Sequence, residues 1–169
     1  MKDSVLLCLQ LPVVNNSDLN EELEEMSLLA ATLGFDIVNV EIQKKTIINP
    51  KTYFGSGKIN DLLNKITILG IDTVFVNDEL SPTHFRNIQK ILGESIYLID
   101  RTKLILDIFN LHAKTNEAKS QIRLATLEYL LPRLVGQWTH LERQIGGTGI
   151  RGGPGEKQIE IDRRLARNE

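Results

Sequence analysis

Residues 73–93 read TVFVNDELSPTHFRNIQKILG, and this stretch carries the signals of one strand followed by one helix. The apolar run 73–76 is short and unbroken, as in a strand buried on both faces of a sheet. A polar turn, 77–79, separates it from Ser81 and Pro82, which suit the N-cap and the first position of a helix. Apolar residues at helical spacing follow, and a glycine ends the pattern. The stretch predicts one strand–helix unit of an α/β fold.

Further strand signals lie on both sides of this unit. Unbroken apolar runs recur at 5–9 and 96–99. The segment 35–42 instead alternates apolar and polar residues, which is typical of a strand nearer the edge of a sheet. Strands that alternate with helices favour parallel pairing. We therefore expect a small, mostly parallel four-stranded sheet with flanking helices.

Two more helices are predicted between the strands. Apolar residues recur at three- and four-residue steps over 19–33, where Asp18 and Glu21 predict a capping box at the helix start. A similar spacing covers 59–69, and a glycine follows each of the two patterns. Together these signals predict an α/β subdomain over residues 1–100.

Beyond residue 100 the sequence carries helical signals without strand signals. Asp100 is predicted to cap the first of these helices. Pro132 and Gly136 predict a kink or break in the next one. That helix has apolar residues at alternating steps of three and four, a spacing that is typical of a helix packed on another helix. They are Leu124, Leu127, Leu131, Leu134, Trp138, Leu141 and Ile145.

A glycine-rich segment, 146–155, interrupts the helical pattern, which resumes at Glu156. We therefore expect an antiparallel, coiled-coil-like α-helical hairpin over 101–169, with 146–155 as its tip loop. The returning arm, 156–169, is too short to match the outgoing one. This mismatch predicts a chain truncated within the hairpin.

Composition and charge narrow the class of protein. No apolar run approaches the length of a membrane span and no signal segment opens the chain, so we expect a cytoplasmic protein. Cys8 lies inside an apolar run and suits the core of a protein in a reducing compartment. Residues 1–100 carry 8 basic and 14 acidic side chains, whereas 101–169 carry 12 and 8. This asymmetry indicates that the second part meets an anion.

The glycine-rich segment 146–155 is the most informative candidate site. It contains six glycines, one proline and one arginine, Arg151, and almost no apolar side chain that could enter a core. One interpretation is a flexible linker. The other is a loop whose backbone N–H groups and guanidinium approach phosphate or RNA closely.

A second candidate is the segment Gly55-Ser56-Gly57-Lys58 before the helix at 59–69. It resembles a phosphate-binding loop, but Thr52 stands where that motif needs its first glycine and Ile59 where it needs Ser or Thr. Two interpretations remain open. The segment is either an ordinary loop-to-helix junction or a weak anion site on free helix N–H groups.

No further site emerges from the spacing of reactive residues. The three histidines share no metal-ligand spacing with one another or with Cys8, so we expect no metal site. Asn77, Asp78 and Glu79 follow a strand where α/β proteins often bind ligands, but a polar turn into the helix at Ser81 is the favoured interpretation. No residues are predicted to be catalytic.

The glycine-rich segment and its flanks resemble the signature of the HflX family, GTPases that bind the large ribosomal subunit. The flanks that carry this resemblance are 141–145 and 160–164. Other stretches resemble family landmarks in the expected order, and the similarity covers the chain from about residue 20 onward. They are Tyr53–Lys58, Asp78–Pro82, Ile99–Thr102, Leu106–Phe109, Ala113–Thr115 and Leu130–Leu134.

Membership would imply an N-terminal α/β subdomain that docks on the large subunit, a helical hairpin whose tip reaches towards the peptidyl-transferase region, and a GTPase domain. In the family, GTP-bound members split stalled or idle ribosomes. The GTPase domain would begin after Glu169, so GTP and Mg²⁺ are expected as its cofactors and none for residues 1–169. This chain also departs from the family's usual Arg-Gly-Pro-Gly-Glu, because one more glycine stands within 151–156.

The resemblance favours the RNA-contact interpretation of the glycine-rich segment. We expect the protein to be a monomer whose partners are the large ribosomal subunit, its rRNA and the GTPase domain. Arg151 leads the expected RNA-binding residues, with Arg143, Arg163 and Arg164 as second-rank candidates. The backbone of the six glycines completes the set: Gly146, Gly147, Gly149, Gly152, Gly153 and Gly155.

Two other functions remain open alongside RNA binding. The α/β part could bind ATP, which has been proposed for the family outside the GTPase domain, through Gly55, Gly57 and Lys58 or at the strand ends. Alternatively, it could regulate the GTPase domain by packing on it.

Overall fold

The computed structural model describes the chain over residues 1–144, with side chains over residues 1–134. Strands and helices alternate up to residue 100, and two helices follow. The elements are β1 Lys2–Gln10, α1 Asn16–Thr32, β2 Phe35–Lys44, α2 Ser56–Leu69, β3 Thr73–Val76, α3 Pro82–Leu92, β4 Tyr97–Asp100, α4 Arg101–His112 and α5 Asn116–Gln144.

The four strands form one parallel sheet in the order β2-β1-β3-β4. This confirms the predicted α/β class and the four-stranded parallel sheet with flanking helices. β2 lies at an edge, as its alternation predicted, and its residues alternate between half-buried and exposed. The chain adds β2 on one side of β1 and then adds β3 and β4 on the other side. The strand order therefore reverses between β1 and β3. Ligands in open α/β sheets bind at the carboxyl ends of such a pair.

Each face of the sheet carries its own apolar cluster. On one face Leu6 and Phe75 pack with Met26 and Ala30 of α1 and with Leu104 of α4. On the other face the odd-numbered residues of β1 pack with α2 and α3, through Val5, Leu7, Leu9, Ile59, Leu62, Ile66, Ile88 and Leu92. Strands covered on both faces must be apolar throughout, which explains the unbroken runs in the sequence.

The helix starts show which capping predictions hold. The Ser81 side chain accepts a hydrogen bond from the His84 N–H, as predicted for α3. The capping box of Asp18 is wrong, because α1 begins earlier and Asn15 accepts from the Asp18 N–H instead. Asn is as good an N-cap residue as Asp, so α1 begins after Asn15 rather than after Asp18.

The chain's first compact unit is Met1–His112, and a second begins at Ala113. Helix α4 therefore packs on the sheet through Leu104 and Ile108, whereas the division expected near residue 100 placed it with the later helices.

In the second unit, α5 runs through Pro132, so the predicted alternative of a break is wrong, whereas the alternative of a kink stays a prediction. A proline removes one intrahelical hydrogen bond, and the remaining bonds of a 29-residue helix continue on both sides. The predicted return of the hairpin, and its tip loop, lie outside the described residues.

Candidate functional site

Polar side chains lie together at the carboxyl ends of β1 and β3, where the strand order reverses. Asn77, directly after β3, is 4% exposed and donates from Nδ2 to Glu22 Oε2 of α1 at 3.0 Å. The same amide lies 3.9 Å from the Cys8 sulfur. Burial, followed by the charges of Asp78 and Glu22, raises the pKa of the Cys8 thiol to about 12. This cysteine is therefore a protonated core residue, as its sequence context predicted.

Arg101, the first residue of α4, extends this network. Its Nη2 donates to both carboxylate oxygens of Glu25 at 2.7 Å. Its Nη1 lies 3.4 Å from Asn77 Oδ1. The guanidinium thus links the start of α4 to α1 and to the end of β3.

Tyr53 and Asp78 form the other half of the network. Tyr53 has φ +63°, a left-handed conformation that is uncommon for a large side chain. Its hydroxyl lowers the pKa of the Asp78 carboxyl, and its ring packs edge-on against His84, with centroids 5.5 Å apart. Burial raises the pKa of the Asp78 carboxyl, and the Tyr53 hydroxyl and Arg101 partly oppose that shift. The ring of Tyr53 therefore links the loop before α2 to α3.

These contacts define what the strand-end network can do chemically. The Asn77 amide and the Arg101 guanidinium already bond to neighbouring side chains, so the network joins α1 and α4 to the sheet. Within residues 1–134, no three His, Cys, Asp or Glu side chains are grouped to hold a metal ion. The residues 77–79, for which the sequence favoured a polar turn over a ligand site, thus include a member of a structural network, Asn77.

The predicted anion site, Gly55, Gly57 and Lys58, forms the start of α2. Gly55 is the N-cap, and its N–H donates to Gln43 Oε1 at 2.8 Å. Lys58 Nζ lies 2.5 Å from Glu41 Oε2, and Lys65 of α2 approaches the other oxygen at 2.5 Å.

This arrangement bears on the choice between junction and anion site. A bound phosphate would need the positive charge of Lys58, but that ammonium is paired with the Glu41 carboxylate of β2. The geometry therefore favours the loop-to-helix junction. Sequence reasoning missed Glu41, because no local signal shows which β2 residue will face α2. The anion site itself stays a prediction.

The residues predicted to bind RNA lie at and beyond the end of the described chain. Arg143 belongs to the last turn described for α5, and nothing further is described of its side chain. The glycines of 146–155, Arg151, Arg163 and Arg164 lie outside the described residues. Their assignment stays a prediction.

None of the helices within residues 1–144 is long and apolar enough to cross a membrane.

Comparison with known families matches both parts of the chain. The family described as GTP-binding GTPase N-terminal matches residues 20–110. The family described as GTP-binding GTPase Middle Region matches residues 112–169. The boundary between the two matches falls beside His112, where the first compact unit ends.

Individual relatives give the same result. The chain is 49% identical to the GTPase HflX of Flavobacterium psychrophilum over 150 residues, which are 89% of this chain and 36% of that protein. It is 43% identical to the GTPase HflX of Magnetococcus marinus, and the match covers 97% of this chain and 38% of that protein. It is also 43% identical to the GTPase HflX of Escherichia coli, and that match covers 88% of this chain and 34% of that protein. The chain thus spans about a third of the length of these relatives.

A solved structure supports the fold. The chain is similar to a GTP-binding protein of the archaeon Sulfolobus solfataricus in complex with GDP, with a TM-score of 0.63 and 26% identity. The match covers 99% of this chain and 45% of that protein. Family models, relatives and fold agree that the chain belongs to the HflX family of GTPases, whose N-terminal and middle regions it matches.

Proposed function

We propose that this chain docks on the large ribosomal subunit and contacts rRNA through the glycine-rich segment 146–155. The observation that carries the proposal is α5, which continues without a break from Asn116 to Gln144, directly before that segment. A helix of this length extends about 43 Å at 1.5 Å per residue. An uninterrupted helix of that length suits an element that presents a small loop deep in an RNA crevice.

The chemistry of the segment supports the same proposal. Glycine backbone has no Cβ to hold a nucleotide away, so its N–H groups can donate directly to phosphate oxygens. Arg151 supplies a guanidinium that pairs with phosphate or stacks on an unpaired base. Arg143, Arg163 and Arg164 add positive charge on both sides of the loop. The net positive charge of residues 101–169 favours this part for RNA contact over the acidic first part.

In the complete protein this region would act together with a GTPase domain that uses GTP and Mg²⁺. The α/β unit would then dock on the large subunit, and α5 would present the glycine-rich segment to the rRNA. The GTPase domain would control splitting or rescue of ribosomes. This assignment extends family membership to the activity of the whole protein.

Co-sedimentation with purified large ribosomal subunits tests the proposal. The chain is compared with a variant in which a short Ser/Gly turn replaces 146–155, at about 50 and 200 mM salt, because phosphate contacts weaken steeply with salt. An Arg151→Gln variant isolates the guanidinium. Lys119→Gln, an exposed lysine of α5, is the control for loss of one positive charge.

We expect salt-sensitive binding that the loop replacement weakens at least tenfold and Lys119→Gln leaves within about twofold. Equal binding by the chain and the loop replacement would move recognition away from 146–155. Absence of binding by every variant would contradict docking by this chain.

A further inference from the structure

The solvent-facing side of α3 carries side chains that donate hydrogen bonds or positive charge. Thr83, Arg86, Asn87 and Lys90 occupy positions i, i+3, i+4 and i+7, so they lie along one side of the helix. The opposite side enters the apolar cluster that α3 shares with α2 and β1. Unlike α1, α2 and α4 of the same compact unit, α3 contains no Asp or Glu. Its solvent-facing side therefore has no carboxylate of its own.

The loop before α2 brings a further lysine to this side of α3. His84 Nε2 lies 3.2 Å from the Pro50 carbonyl oxygen, and Asn87 Nδ2 donates to the Lys51 carbonyl at 2.6 Å. These two contacts hold the loop against the helix. The exposed Lys51 thus lies beside α3. We call Lys51 together with Thr83, Arg86 and Lys90 the α3 surface.

The positive charge of the α3 surface is not neutralised by carboxylates of the described residues. Residues 1–100 carry eight basic side chains, of which Lys2, Lys58 and Lys65 form ion pairs. Three of the other five belong to the α3 surface, and none of the three pairs with a carboxylate in the part of the chain that the structure describes. The same 100 residues carry 14 acidic side chains. The α3 surface is therefore a place where this acidic part of the protein can approach a polyanion.

Arg86 shows how that charge is presented. Its Nε donates to the Pro82 carbonyl at 3.2 Å, and its Nη2 lies 3.5 Å from Thr83 Oγ1. Both partners are uncharged, so these contacts orient the guanidinium along the helix without neutralising it. Its remaining N–H groups can donate to an anion.

The α3 surface favours one kind of polyanion. No Val, Leu, Ile, Met or aromatic side chain of Pro82–Leu92 is exposed. Single-stranded RNA is bound largely by stacking of its bases on such side chains, whereas an RNA duplex is bound through its phosphates and 2′-hydroxyls. A surface that offers cations and a hydroxyl without a stacking platform matches the backbone of a duplex.

We propose that the α3 surface is where the α/β unit docks on rRNA, with Lys51, Arg86 and Lys90 pairing with backbone phosphates of a duplex. The inference rests on the proposed function, because it takes the same partner, rRNA, and names a second surface for it. Phosphate contacts fix the position of a protein on a duplex without reading its sequence. The α3 surface would therefore supply affinity and orientation, separately from the glycine-rich segment.

Co-sedimentation with purified large ribosomal subunits over about 50 to 200 mM salt tests the surface. The variant Lys51→Gln/Lys90→Gln is compared with Lys44→Gln/Lys114→Gln, which removes the same charge from exposed positions elsewhere. Arg86 is left unchanged because it also bonds within α3. We expect the α3 variant to bind about fivefold or more weakly and to lower the slope of log affinity against log salt by about two, since each phosphate contact contributes about 0.9. The control should stay within about twofold, with its slope unchanged.

An iron chelate tethered to Thr83→Cys identifies the partner directly, because Thr83 is exposed and Cys8 is completely buried. We expect rRNA cleavage beside a duplex segment. Three outcomes would overturn the surface. They are equal affinity of the two double variants, weaker binding of the α3 variant with an unchanged salt slope, as for an acidic protein partner, and pelleted Thr83→Cys chain that leaves the rRNA uncut.

The same measurements separate failure of the α3 surface from failure of the proposed function. If the α3 variant pellets like its control while replacement of 146–155 weakens binding, the proposed function stands and the α3 surface is wrong. Absence of pelleting by the unaltered chain removes both.

Discussion

The Asp100 carboxylate accepts a hydrogen bond from the Leu80 N–H at 3.1 Å, and both side chains are completely buried. Its other oxygen accepts from the Lys103 N–H at 2.9 Å, so the same carboxylate caps α4. One side chain thus joins the loop after β3 to the start of α4. The sequence predicted the cap, but the contact with Leu80 became visible only in the structure.

Replacing Asp100 should destabilise the first compact unit. Asp100→Ala removes the acceptor of two backbone N–H groups, one of them in the core, and should lower the free energy of unfolding by about 2–4 kcal/mol. Urea unfolding followed by circular dichroism measures the change. Asp107→Asn, which breaks a partly exposed ion pair with Lys103 on the same helix, should cost no more than about 0.5 kcal/mol. Equal effects of the two variants would contradict this role of Asp100.

The half-buried Asp78 should make stability depend on pH. Because burial raises its folded-state pKa, the protonated carboxyl stabilises the fold at low pH, and that contribution is lost as pH rises through the folded pKa. Asp78→Asn removes this dependence. The free energy of unfolding of the variant minus that of the wild type should therefore increase from about pH 4 to pH 7. Tyr53→Phe removes the hydroxyl that lowers the Asp78 pKa, so the same Asp78→Asn comparison made in the Tyr53→Phe background should show a larger increase. A pH-independent difference would contradict the assignment.

The ion pair between Lys58 and Glu41 should contribute to stability. Their side chains are only 22% and 18% exposed, so the pair is less screened than a surface pair. Hydrogen bonds from Lys58 and Lys65 lower the Glu41 pKa, so this contribution is present at neutral pH and is lost as pH falls through the folded pKa. A double-mutant cycle of Glu41→Gln and Lys58→Met should give a coupling of about 1 kcal/mol at pH 7 that disappears in acid. A coupling of zero at pH 7, or saturable ATP binding that Lys58→Met abolishes, would favour the nucleotide site instead.

Cys8 should be unreactive in the folded protein. The side chain is completely buried and its pKa is raised to about 12, so very little thiolate is present at pH 8. An aromatic disulfide reagent should modify it in urea, and should label the native chain only at the rate of unfolding. Rapid labelling without denaturant would show that this end of the sheet opens readily.

Local patterns were sufficient to predict the strands and the order of elements. The alternation over 35–42 predicted the edge position of β2, because an edge strand has exposed positions that a central strand lacks. The serine and proline at 81 and 82 predicted the start of α3, since capping depends on adjacent residues alone.

Contacts that depend on register could not be predicted in this way. An irregularity between Ser4 and Val5 shifts the pairing of β1 with β2 by one residue, which reverses the faces of the later β2 residues. Glu41 therefore faces Lys58 and Lys65, and Gln43 faces Gly55. Without that register, Lys58 appeared to be free for an anion.

Directed hydroxyl-radical cleavage shows whether the segment 146–155 contacts rRNA. An iron chelate tethered to Thr148→Cys generates radicals beside that segment, and Cys8 is too buried to be labelled. The labelled chain is bound to large ribosomal subunits, pelleting confirms the binding, and rRNA cleavage is mapped by primer extension. We expect discrete cleavage sites that excess unlabelled chain suppresses. Pelleted chain that yields no cleavage above the untethered reagent would contradict it.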